Sequence, residues 1–104
     1  MRKFQVQIER VGENEAAMLR ALRVIGKMKL VDAGRLYKLL AQTPGVVAAG
    51  IDQAVATHIA EQLRGAGARV RVETSDLEMP MVLEPKAGTL YQWSSSRSLR
   101  KKPD

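Results

Sequence analysis

The chain has 104 residues, a formal net charge of +6, one histidine and no cysteine. That length sets a single domain, and the missing thiols exclude disulfides, cysteine nucleophiles and cysteine metal sites. A content of 45% hydrophobic and 27% charged residues is that of an ordinary globular protein, and the positive balance points to anionic partners without speaking to fold.

Residues 3–9, KFQVQIE, alternate strictly, with Phe4, Val6 and Ile8 on one face and Gln5, Gln7 and Glu9 on the other. This is the period of a half-buried strand. After a turn at Gly12, Asn14 is placed to cap a helix ending before Gly26, in which Met18, Leu22 and Ile25 recur at i, i+4, i+7. A second helix, from Leu30 to Ala41, carries an apolar stripe of Ala33, Leu36, Tyr37 and Leu40, so that Val31, Asp32, Arg35 and Lys38 face away. Pro44 and Gly45 stop it and Gly50 marks a turn, leaving a short buried strand at Val46 to Ala48. Asp52 caps a third helix with the stripe Ala56, Ile59, Ala60 and Leu63, which ends at Gly65 to Gly67. Ala68, Val70 and Val72 then alternate with Arg69 and Arg71 in a last strand.

The order β-α-α-β-α-β over residues 1–74 predicts an α+β two-layer domain: a three-stranded mixed sheet, its first strand antiparallel to the other two and between them, covered on one face by three helices. Residues 75–104 read as an extended linker and a flexible, disordered basic tail. TSDLEMPMVLEPKAG holds two prolines and no sustained period, with MVL at most a brief edge strand, and TLYQWSSSRSLRKKPD adds three consecutive serines and the sole tryptophan, Trp93. No apolar run reaches the ~18 residues that span a bilayer and the start lacks a signal-peptide core, so a cytoplasmic location without membrane contact is expected.

Three features together carry a family resemblance: FQVQIERVGENEAAMLRALR with its Gly-x-Asn helix start, LVDAGRLYK with Leu30, Asp32 and Ala33 opening the second helix, and the closing Gly-Ala-Gly-Ala-x-Val-x-Val at Gly65 to Val72. In collinear order they resemble the C-terminal domain of the bacterial ribosomal large-subunit stalk protein, over about 70 of the 104 residues. The resemblance implies the topology just derived, that of the ClpS-like fold superfamily, which includes the adaptor of the Clp protease. In the stalk protein a turn before the second helix, Gly-Leu-Gly-Leu-Lys-Glu-Ala-Lys, recruits translational GTPase factors. Those positions are here Lys27, Met28, Lys29, Leu30, Val31, Asp32, Ala33 and Gly34. The leucine and alanine are kept and Glu becomes Asp32, whereas both glycines are lysines and the two lysines are Val31 and Gly34. The acidic, histidine-bearing groove of the Clp adaptor has no counterpart, because His58 falls inside the third helix.

Residues 20–38 hold six basic residues against one acid. Arg20, Arg23 and Lys27 form one stripe at i, i+3, i+7, Lys29 sits on the following turn, and Arg35 and Lys38 lie on the second helix. With Met28 as an adaptable apolar contact and Val31 beside it, these residues read as a docking face for an acidic protein partner. A merely solvated face is the bland alternative. Nucleic-acid phosphates, met by the same face and the tail residues Arg97, Arg100, Lys101 and Lys102, are the alternative partner. His58 has no nucleophile or second carboxylate spaced to join it in acid–base work. Gly65 and Gly67 follow a helix, unlike the glycines of a phosphate loop. The expected protein is therefore a non-catalytic protein-binding module with no catalytic residue, metal, cofactor or small-molecule substrate.

Overall fold

The computed structural model describes residues 2–83 and 90–92. The chain runs β1 (Lys3–Arg10), α1 (Glu15–Gly26), α2 (Leu30–Gln42), β2 (Gly45–Ile51), α3 (Gln53–Gly65), β3 (Arg69–Ser75), β4 (Met81–Leu83) and β5 (Leu90–Gln92). The expected three helices and three strands are present, with Asn14 and Asp52 accepting from the amides of Ala17 and Val55 as helix caps.

The sheet has the order β3-β1-β2-β4-β5. As expected, β1 is central and antiparallel to both β2 and β3. The expectation of a mixed, three-stranded sheet is corrected on two counts. β2 and β3 never touch, because β1 lies between them, so every hydrogen-bonded pair is antiparallel. The four strands β3-β1-β2-β4 are extended by the three-residue β5. β4 pairs with β2 through Ala48↔Val82 and Ala49↔Met81, and β5 pairs with β4 through Val82↔Tyr91. β5 lies in the segment read as disordered tail, and Leu83 is buried in the main core with Leu90 packed against it. Strands of three residues are too short to display a period, and their hydrogen bonds depend on where β2 leaves an open edge.

The central strand decides which side the helices take. Val6 and Ile8 are fully buried and stand opposite Val72 and Val70 of β3. Met18 and Leu22 of α1, Leu36 and Leu40 of α2, and Ile59 and Leu63 of α3 close over them in one cluster. Tyr37, half-buried, donates its hydroxyl to the Gly12 carbonyl at 3.1 Å and ties α2 to the turn that launches α1. β2 is longer than the predicted Val46–Ala48. It carries register irregularities against Phe4–Gln7 that bring both Val47 and Ala48 into the core, which a strict two-residue alternation does not anticipate. On the opposite side of β1, Arg71 bridges Glu9 and Glu73, and Gln5 reaches Glu73 at 3.4 Å.

Gly50, expected at a turn, lies inside β2 and makes room for the segment that leads into β4. Its φ of 67° is left-handed, and a Cβ there would run into the backbone carbonyl of Met79. Gly50→Ala is expected to cost at least ~2 kcal/mol through the strained φ and the clash, read in urea unfolding, and to speed amide exchange at Val82 and Leu83. Leu36→Ala, which empties a site only 2% exposed, is expected to cost about 2–5 kcal/mol. An unchanged urea midpoint would remove Leu36 from the core.

Candidate functional site

The junction of α1 and α2 is built by three residues with alternating directions. α1 continues through Gly26, and the left-handed turn that ends it is made by Lys27, with φ 51° and ψ 45°. This corrects the expectation that the helix ends before Gly26. Among the described residues Lys27 is the only non-glycine with positive φ. A Cβ on Gly26 would occupy the place of the Met28 terminal methyl, so the glycine makes room for Met28 to fold back. Met28 is accordingly half-buried and packed on the core, and it serves as the anchor of the turn as much as a surface contact. Lys27 and Lys29 on either side of it are exposed.

The two lysines meet opposite helix ends: Lys27, the C-cap of α1, sits at a negative end, where a cation is favourable, and Lys29 at a positive end, where it is not. Arg23, in the last turn of α1, lies at the negative end of that helix, where a cation is favourable. Lys29 is the N-cap of α2 and supplies no side-chain cap. It therefore adds a positive charge at the positive end of α2, where only Asp32 in the first turn offsets it. A left-handed Lys27 adds roughly 1–2 kcal/mol of backbone strain relative to glycine. Local stability does not account for Lys29, and at Lys27 the backbone strain opposes the favourable charge at the helix end.

The structure leaves the predicted charged residues at the surface of α1, the turn and α2. Arg20, Arg23, Lys27, Lys29, Val31, Arg35 and Lys38 are all exposed. Among the described residues no carboxylate pairs with Arg20, Arg23, Lys27, Lys29 or Lys38; Arg35 makes a 3.9 Å contact with Asp32. The outer sheet contrasts with this, since Arg71 has Glu9 and Glu73 as partners and its pKa is raised by those hydrogen bonds, Glu9 first. That arginine is internally neutralised, whereas the junction is left positive.

Two residues that the sequence reading misses complete the face. Val24 is 54% exposed and Leu30 is 56% exposed, beside Val31 at 60%. These are half of the six large exposed apolar residues among the described residues, so apolar surface accompanies the charge around the end of α1 and the start of α2. Val24 is legible, since it follows Arg23 and lies one turn from Arg20 on the polar side of α1. Leu30 is not, because its spacing places it on the core stripe of α2. At the first turn of that helix it is nonetheless exposed. Beside Val24 a shallow groove of about 340 Å³ opens between α1 and α3, lined by Arg20, Val24, Glu61 and Gln62 among others.

His58 is exposed on α3. Among the described residues no group of three or more His, Asp or Glu is placed to hold a metal, and no helix is long and apolar enough to cross a membrane. The tail residues Trp93, Arg97, Arg100, Lys101 and Lys102 lie outside the described residues.

Lys27→Gly isolates the cost of the turn. It is expected to leave stability unchanged or raise it by up to ~1 kcal/mol, the relieved strain being partly offset by the greater freedom of glycine in the unfolded chain. A loss of stability in thermal or urea unfolding would mean that Lys27 has a structural role.

Compared with known families, residues 4–73 match the model described as the ribosomal protein L7/L12 C-terminal domain. A search of curated proteins finds no match.

Proposed function

This chain belongs to the family of the ribosomal protein L7/L12 C-terminal domain, and from that premise we propose that it is a non-catalytic, cytoplasmic protein-binding module that docks an acidic partner through the α1–α2 junction. The observation that carries the reading is that five exposed cations along α1, the turn and α2 have no carboxylate partner among the described residues, while Val24 near the end of α1 and Leu30 and Val31 at the start of α2 are exposed apolar side chains. Interfaces of this make-up gain affinity from the desolvated apolar centre and gain rate and orientation from the charged rim. Lys27 and Lys29 supply the rim at a cost to the isolated fold, which supports a role for them outside it.

The apolar centre also favours a protein over nucleic acid as the occupant of this face, since phosphate recognition needs the cations but not Leu30 and Val31. The partner surface is therefore an acidic rim around an apolar spot. Arg20, Arg23 and Arg35 can each meet a carboxylate in two-pronged fashion, with Lys38 at the margin.

Reversing both lysines, Lys27→Glu with Lys29→Glu, is expected to leave the circular dichroism spectrum intact, because both side chains are exposed. Binding to partners captured from the native cytoplasm is expected to fall, with the association rate at low salt reduced at least tenfold. Leu30→Ser with Val31→Ser is expected to act on the dissociation rate instead. A folded charge-reversed protein that captures the same partners with equal yield across salt concentrations would overturn the reading.

A further inference from the structure

The end of the molecule opposite the α1–α2 turn carries a second basic site, unconnected with the docking reading. β1 and β3 finish their pairing with a register shift: Ile8 stands opposite Val70, but the next pair is Arg10 opposite Arg69. Glu9, at the irregularity, pairs with Arg71 and leaves Arg69 without a carboxylate partner among the described residues. Two like charges directly opposite in an antiparallel ladder are unfavourable. Arg64, in the last turn of α3, is fixed nearby by donating from Nη2 to the Val70 carbonyl at 3.0 Å. All three arginines line one cleft of about 730 Å³ between the end of β1, the start of β3 and the end of α3. The acid on its wall is Glu13, which reaches Arg10 at 3.8 Å with both side chains largely in water, and such a pair offsets little.

We propose that this cleft holds the phosphate groups of a nucleic-acid backbone. Three guanidinium groups around one opening supply the forked donors that suit phosphate oxygens, and an anion between Arg10 and Arg69 removes their mutual repulsion. The lining contains no aromatic residue, so no base stacks there and the contact is independent of sequence. The opening has neither the enclosure nor the apolar lining that holds a small phosphorylated molecule.

The test uses the full chain and a fluorescent single-stranded thymidine oligonucleotide, followed by anisotropy over a range of salt. Arg10→Gln with Arg69→Gln is expected to weaken binding about tenfold or more at low salt and to flatten the plot of log affinity against log salt by about 0.7 for each phosphate that is no longer neutralised. Its melting temperature is expected to equal or exceed that of the parent, because the like-charge pair is gone. The variant with Lys27→Glu and Lys29→Glu is expected to retain oligonucleotide binding within a factor of about three, since those lysines lie at the other end of α1. That separates this proposal from the docking face, whose failure would leave the oligonucleotide result standing. Polyglutamate at equal charge is expected not to displace the oligonucleotide, and inorganic phosphate or a mononucleotide is expected to compete only weakly. The proposal is overturned if the parent does not bind the oligonucleotide, if Arg10→Gln with Arg69→Gln binds as the parent does, or if reversal of the two lysines abolishes binding. Equal competition by polyglutamate would overturn it in favour of a general acidic-polymer surface, and tight mononucleotide binding in favour of a small phosphate ligand.

Discussion

The burial of Val6 and Ile8 against Val72 and Val70, in a strand hydrogen-bonded on both edges, is the constraint from which the rest of the molecule follows. Alternation along β1 gives the sheet one apolar face and one polar face. The apolar face must be covered, and the three helices supply one stripe each to do so. Their polar sides are consequently turned outward, and the connection between α1 and α2 is pushed to the margin of the layer, where it touches water on several sides. The face proposed for docking is made of side chains that the core leaves outside: the exposed residues of α1, the turn and α2.

The charges are distributed unequally over this frame, and the inequality separates structure from function. On the outer sheet Arg71 lies between Glu9 and Glu73, so that face is closed electrostatically. At the α1–α2 junction the cations repel one another, one occupies the positive end of a helix, and one forces a left-handed turn without a glycine. Each of these choices is mildly unfavourable for the isolated domain, and an anionic partner would offset all three. Glycine would adopt the left-handed conformation of Lys27 without such strain; this chain places a charge there instead.

Local periods and spacings are enough to place the three helices, their caps at Asn14 and Asp52, and the central position of β1. A repeat of two or of 3.6 residues assigns a side chain to a face without knowledge of the neighbour. Everything that depends on long-range placement needed the assembled fold. β4 and β5 form because β2 offers an edge and Gly50 lets the returning chain lie upon it. Leu30 keeps the helical spacing of a core residue but is exposed at the first turn of α2, and Met28 turns inward because Gly26 leaves room. Arg10 and Arg69, 59 positions apart in the chain, face each other because one register shift lets Glu9 reach Arg71 instead. Exposure, strain and charge pairing are properties of what surrounds a residue, and those surroundings are supplied by distant segments brought together in the fold.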